Sequence, residues 1–239
     1  LGTIQATFTN FGYLRKRWVD NTEEERLLGV SLTGIMDSSI LNGTDIELEN
    51  TLQTLREVSI QTNKEWASKL GIPQSTAITC VKPSGTVSQL VDSASGIHAR
   101  HNPYYIRTVR GDNKDPLTEF MKESGIPNEP SYDKPNDMTV FSFPIMAPKG
   151  SICRNDITAI KQLEMWKIYA EHWCEHKPSV TITVKEEEWI PVGSWCWNNF
   201  KYLSGVSFLP RTDYTSYKQL VYQDITAKKY KSLWKKLPK

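Results

Sequence analysis

One long pattern between residues 45 and 73 limits what the rest of the chain can be. Apolar residues Ile46, Leu48, Leu52, Leu55, Val58, Ile60, Trp66 and Leu70 recur mostly at three- and four-residue spacing, which puts them on one face of a long helix. Gly71 stops that helix and Pro73 secures the stop. Residues 76–81, reading TAITCV, are β-branched and apolar enough for a buried strand, and Lys82 and Pro83 break it. A helix that must bury one face, followed at once by a buried strand, predicts helices packed on a sheet in an α/β or closely interleaved α+β domain.

The remaining pattern agrees. Residues 27–36, reading LLGVSLTGIM, suit a short helix leading into a buried segment, with helix-or-strand identity left open by the pattern. Strands are expected over 104–109, 139–145, 180–184 and 206–209, and helices over 117–124, 156–176 and 228–237. A helix over 187–200 is expected to break in the middle at Pro191 and Gly193. Residues 127–137 are rich in Pro, Asn and Asp and read as a surface loop. The acidic runs 23–25 and 186–188 each suit the first turn of a helix, where the dipole favours negative charge. The tryptophans 166, 173, 189, 195 and 197 read as core and interface residues.

Composition excludes several classes of function. A net charge of +2 gives no broad field for a nucleic-acid backbone, so any anion is held locally and no direct nucleic-acid partner is expected. The basic end of the chain, with Lys228, Lys229, Lys231, Lys235, Lys236 and Lys239 among Tyr230, Leu233, Trp234 and Leu237, reads as the solvated face of an amphipathic helix. No apolar run has the length of a membrane span. Cys80, Cys153, Cys174 and Cys196 form neither a C-x-x-C pair nor a disulfide framework, which predicts a reducing, cytoplasmic setting. His172 and His176 stand at helical i, i+4 spacing around Cys174, but without a third ligand nearby a packed or solvated helix end is the expectation, not a metal site.

The chemistry-bearing element is the turn Pro83, Ser84, Gly85, Thr86, Val87 and Ser88. A glycine-containing turn after a strand aims backbone N–H groups at one point, and if a helix begins at Val87 its unsatisfied amides and dipole add to the grip on an anion. Thr86 and Ser88 offer hydroxyls, and Lys82 offers a charge. The spacing is not that of a Walker A loop, so nucleotide hydrolysis is not implied. On turn chemistry alone, simple punctuation of the chain remains the alternative. The segment 95–111, with His98, Arg100, His101, Arg107 and Arg110, reads equally as a pocket lining or as a solvated loop whose Tyr104 and Tyr105 pack on the core.

Several blocks together resemble the adenosylcobalamin-dependent (class II) ribonucleotide reductases. These are ITCVKPSGTVS at 78–88, SGIHARH at 95–101, YYIRTVR at 104–110, LGTIQAT at 1–7, EEERLLGVSLTG at 23–34, PSVT at 178–181 and SGVSFLP at 204–210. Within that family the resemblance is to the monomeric ribonucleoside-triphosphate reductases, and it runs to about residue 224. It implies the second half of a ten-stranded α/β barrel with C-terminal helical and strand elements. Residues 1–150 would be the half-barrel segment and 151–239 the closing part. It also implies that the turn from Pro83 to Ser88 holds the phosphates of a ribonucleotide substrate.

The family's reaction uses adenosylcobalamin to generate a cysteine thiyl radical that abstracts the ribose 3′ hydrogen, while a cysteine pair, recharged by a dithiol such as thioredoxin, reduces the 2′ position. The family's Asn-Pro-Cys-Gly-Glu string and its tail cysteines do not occur here, so none of the four cysteines is assigned a catalytic role. The resemblance therefore predicts a part of the enzyme that begins inside the similar region at Leu1 and needs an upstream polypeptide carrying the radical cysteine. The alternative is a truncated, non-catalytic module that binds nucleotide or a reductase partner.

Overall fold

A computed structural model describes residues 1–85, 87–211 and 218–238. In chain order it contains helices α1 (Gly2–Gln5) and α2 (Lys16–Glu25), strand β1 (Val30–Ser31), helix α3 (Ile46–Leu70), strand β2 (Thr79–Cys80) and the short helix α4 (Val87–Leu90). Strand β3 (Tyr104–Asp112), helix α5 (Pro116–Glu123) and strands β4 (Asn128–Pro130) and β5 (Met138–Met146) come next. Helix α6 (Ala159–His172), strand β6 (Val180–Val184), helix α7 (Trp189–Asn198), strands β7 (Val206–Pro210) and β8 (Tyr222–Asp224) and helix α8 (Ala227–Trp234) complete it. These elements form two compact units that interleave along the chain: Leu1–Ala99 with Ile157–Arg211, and Arg100–Asp156 with the described residues 218–238. The expected division was a single cut near residue 150.

In the first unit the helix–strand alternation gives parallel pairing, β1 beside β2 and β6 beside β7. The Ser179 N–H donates to the Val81 carbonyl at 3.0 Å, joining the end of β2 to the entry of β6. Strand β6 alternates strictly, with Val180, Ile182 and Val184 buried and Thr181 and Thr183 turned outward. Helix α6 supplies the fully buried Leu163, Met165, Trp166 and Tyr169. The buried tryptophans find carbonyls for their indole N–H groups, Trp166 on Pro178 at 3.1 Å and Trp173 on Cys80 at 2.7 Å, while the Trp195 indole donates to Glu164. Trp197, by contrast, is 82% exposed.

Helix α3 has the expected limits, and its ends show why. The Asp45 carboxylate accepts the Leu48 N–H at 3.0 Å, and Gly71 caps the other end at φ +67°. Its buried face is narrower than the apolar pattern predicts: Leu48, Leu52, Asn63 and Ala67 are buried, whereas Ile46, Val58 and Trp66 are exposed. The buried Asn63 replaces apolar contact with three hydrogen bonds, to Thr3 Oγ1, to Ser75 Oγ and from the Ser75 N–H.

Several expectations are corrected. The acidic run 23–25 closes α2 rather than opening a helix, and 27–36 holds β1 and a 3-10 turn, Ile35–Asp37, whose Ile35 and Met36 are fully buried. Helix α7 is not broken: Pro191 occupies its third position, where the missing N–H would have had no intrahelical acceptor. It follows the 3-10 turn Glu186–Glu188, where the second acidic run does sit at a helix start. Helix α6 ends at His172, so His176 is not on it.

The second unit is an antiparallel sheet in the order β4-β5-β3-β8, with Tyr104 opposite Met146 and Asp112 opposite Met138. Helix α5 closes onto β3 at Gly111, where a Cβ would lie 2.2 Å from Thr118 Oγ1. Strand β4 lies inside the expected loop. It is exposed along its length and ends in Pro130, which only an edge strand tolerates, so its composition reads as loop. Helix α8 is capped at its start by Thr226, whose side chain accepts the Lys229 N–H.

Asn63→Ala is expected to destabilise the protein by about 1–3 kcal/mol in urea unfolding, because the hydroxyl of Thr3 and both groups of Ser75 lose their partner. The neighbouring exposed Thr62→Ala is expected to stay within about 0.5 kcal/mol.

Candidate functional site

The turn after β2 is shaped by its own serines. The Ser84 N–H donates to Ser95 Oγ at 2.7 Å, Ser84 Oγ accepts the Ser88 N–H at 2.7 Å, and the Ser88 hydroxyl donates to the Ser84 carbonyl at 2.9 Å. Ser88 is fully buried, so both its donors serve the turn and neither faces outward. Pro83, Gly85 and Val87 are exposed, and the Gly85 and Val87 N–H groups have no acceptor among the described residues. Ser84 Oγ accepts one bond and keeps its own proton to donate. Thr86 lies outside the described residues. The helix beginning at Val87 is only four residues long, so the dipole contribution expected from it is small.

Around this turn the first unit gathers segments that are far apart in sequence. Thr33 Oγ1 donates to the Ala94 carbonyl at 3.0 Å and accepts the Gly96 N–H at 3.2 Å, while the Asp37 carboxylate accepts the Ala94 N–H at 2.7 Å. Gly96, at φ +52°, sits so close to the Lys82 carbonyl that a Cβ would approach it at 3.1 Å. The Lys82 ammonium is turned to the Lys177 carbonyl and Ser179 Oγ, at 3.1 and 2.9 Å. Gly205, at φ +70°, lies against Pro178, whose carbonyl oxygen would be 2.7 Å from an added Cβ. Thr181 Oγ1 and Ser207 Oγ then join the strands β6 and β7 at 3.0 Å.

His98 links two of these segments. Its Nε2 accepts the Thr181 N–H at 3.1 Å, which leaves Nδ1 as the protonated nitrogen, donating to the Ser95 carbonyl at 3.0 Å. The ring is therefore neutral, and burial holds its pKa below the ordinary value of 6.5, against a smaller upward pull from the Ser95 carbonyl. Sequence reasoning placed His98 in a basic loop and assigned no role to Ser95, Thr33 or Thr181. The other members of that loop belong to the second unit. There, His101 and Arg154 both meet Asp224, at 2.8 and 2.9 Å, Arg107 stacks over Tyr222 at 4.6 Å, and Arg110 donates to the Gln219 carbonyl.

The histidine pair at 172 and 176 does not share a helix face. His172 Nδ1 meets the Gln53 side chain at 2.8 Å, whereas His176 Nε2 donates to the Leu28 carbonyl at 2.7 Å. Among the described residues no three His, Cys, Asp or Glu side chains gather as a metal would need. Cys80, Cys153 and Cys174 are buried as free thiols. Burial raises the pKa of Cys80 and Cys196 and, helped by the nearby Cys80, pushes Cys174 up to about 12.

The depressed pKa of His98 sets a pH dependence. An unfolded chain takes up a proton below about pH 6.5 that the folded chain refuses, so the stability this site contributes is complete above that value and is lost as the pH falls from there through the lower folded-state pKa. Urea midpoints measured between about pH 7.5 and pH 5 are expected to fall for the wild type and to fall less steeply for His98→Gln.

No family model matches the chain. Relatives do. The adenosylcobalamin-dependent ribonucleoside-triphosphate reductase of Euglena gracilis is 30% identical over 224 residues, which is 92% of this chain and 31% of the relative. The probable enzyme of that name from Dictyostelium discoideum is 30% identical over 236 residues, 98% of this chain and 30% of the relative. The crystal structure of a B12-dependent (class II) ribonucleotide reductase superposes with a TM-score of 0.81 at 22% identity, over 92% of this chain and 34% of that one. The chain is thus a relative, over nearly its whole length, of the adenosylcobalamin-dependent ribonucleoside-triphosphate reductases, and it spans about a third of their length.

Proposed function

We propose that this chain is the phosphate-holding part of a ribonucleotide reductase, the enzyme that converts ribonucleotides to 2′-deoxyribonucleotides by thiyl-radical chemistry. The observation that carries this reading is the pair of N–H groups at Gly85 and Val87 that have no acceptor among the described residues, beside the Ser84 hydroxyl proton, on a turn whose Ser84 N–H and Ser88 donors are already bonded. Three donors around one bend suit a phosphate oxygen cluster, and the site needs no net positive charge beyond the exposed Lys82 to do so. The parallel strands β1, β2, β6 and β7 with their covering helices then belong to the second half of a ten-stranded barrel, whose other strands come from elsewhere in the enzyme.

Radical transfer and reduction at the 2′ position call for accessible cysteines, and the four here are poor candidates. Three of them are buried. The reacting cysteines are therefore assigned to an upstream polypeptide, and a dithiol such as thioredoxin recharges them there. The first unit has surface available for such a partner: Ile190 and Trp197, two helical turns apart on α7, are 87% and 82% exposed.

Adenosylcobalamin supplies the radical when bound in this family. The cavity seen here, lined by Gly2, Gln5, Phe8, Thr22, Leu28 and Val30 among others, has a volume of about 430 Å³. That is near the low end of the roughly 300–1,000 Å³ typical for drug-sized ligands, well short of a corrinoid, and these side chains carry no cobalt ligand. The described residues around this cavity do not fit the cofactor by themselves, so its seat is assigned to the larger assembly, and the part proposed for this chain is to hold and orient the substrate phosphates. No helix among the described residues is long and apolar enough to cross a membrane, and a cytoplasmic location goes with this function.

Two measurements test the proposal. Supplied with cofactor, dithiol and a ribonucleoside triphosphate, the chain is expected to show turnover only after addition of the upstream two-thirds of a related reductase; turnover by the chain alone, or none in the mixture, contradicts it. Val87→Pro removes one amide donor at the first helical position, where proline is tolerated. Its affinity for inorganic triphosphate, measured by calorimetry, is expected to fall about tenfold or more, as for the loss of one hydrogen bond to a charged group.

A further inference from the structure

Strand β6 is joined to the segment 94–98, which supports the phosphate turn, through the side chain of His98, and nothing in the pattern of the sequence assigns it that task. The segment 94–98 carries Ser95, whose hydroxyl takes the first N–H of the turn at Ser84. That segment is tethered toward residues 33 and 37 by the bonds at Ala94 and Gly96. Its tether to β6 is His98, through the Thr181 N–H. The second bond of the ring, from Nδ1 to the Ser95 carbonyl, is local and duplicated, because that carbonyl also accepts the His98 backbone N–H at 2.9 Å. The non-redundant bond is the one at Nε2, and it reaches 83 residues along the chain.

We infer that His98 is a positioning residue for the phosphate turn: by accepting the Thr181 N–H it fixes the Ser95 hydroxyl beneath Ser84 and so sets where the Gly85 and Val87 amides point. The inference rests on the phosphate-binding reading above and adds to it the residue that holds the site in register with β6. The ring acts here as a neutral acceptor, touches no substrate and transfers no proton. An imidazole suits the place because one flat group offers a donor and an acceptor on opposite sides, and the part-buried backbone N–H at Thr181 takes the acceptor.

Two conservative variants separate positioning from general structural support. His98→Gln places an amide oxygen near the position of Nε2 and keeps the acceptor for Thr181, whereas His98→Asn keeps only the local bond to Ser95. Amide hydrogen exchange at Ser84 in the ligand-free protein is the direct readout. Exchange is expected to quicken about tenfold or more in His98→Asn and to stay within about threefold of wild type in His98→Gln, with both variants folded by circular dichroism. Binding of inorganic triphosphate, by calorimetry, is expected to weaken in the same order. Equal Ser84 exchange in the two variants overturns the inference. Wild-type protein that binds no triphosphate while Ser84 follows the expected order would instead overturn the phosphate reading and leave the positioning role standing.

Discussion

The bond from the Ser84 N–H to Ser95 Oγ is the contact on which the site depends. A turn that leaves a strand has several N–H groups to satisfy, and if neighbouring carbonyls took all of them no ligand could be held. Here a side-chain hydroxyl takes the N–H of Ser84 and the Ser84 hydroxyl takes that of Ser88, while those of Gly85 and Val87 have no acceptor among the described residues. Ser88 is fully buried, so its donors are held within the turn.

That bond in turn needs Ser95 in place, and much of the first unit converges on it. Thr33 and Asp37 hold Ala94 and Gly96, the Lys82 carbonyl leaves room only for a glycine at 96, and β6 reaches in through Thr181 and His98. Thr33 and Lys82 follow the parallel strands β1 and β2 and Thr181 lies in β6, so the packing of strands in this unit becomes the geometry of the turn. The deeply buried Trp166 and Trp173 contribute indirectly, since their indole N–H groups bind Pro178 and Cys80, the segments that flank the entry to β6 and the end of β2.

Much of this was legible in the sequence, and what was not has physical causes. Helix α3 could be delimited to within a residue because both its caps carry unambiguous chemistry, Asp45 and Gly71. Its buried face could not, because spacing reports which side chains share a side and not whether anything covers them: Val58 and Trp66 are apolar and exposed, while polar Asn63 is buried and bonded. Helix α7 looked broken because proline and glycine were read without regard to position, and β4 looked like a loop because an exposed edge strand has no apolar alternation. The turn itself stood out by its residue types. The partners that shape it did not, since Thr33, Ser95, His98 and Thr181 are spread over about 150 residues and only folding brings them together.

The central claim is that the amides of Gly85 and Val87 meet an anion. A titration of the isotope-labelled chain with inorganic triphosphate, followed by the backbone amide resonances, tests it most directly. Saturable shifts at Gly85 and Val87, with the inward-facing amide of Ser88 much less affected, are the predicted result. A folded chain whose Gly85 and Val87 resonances stay unmoved at saturating triphosphate would contradict it.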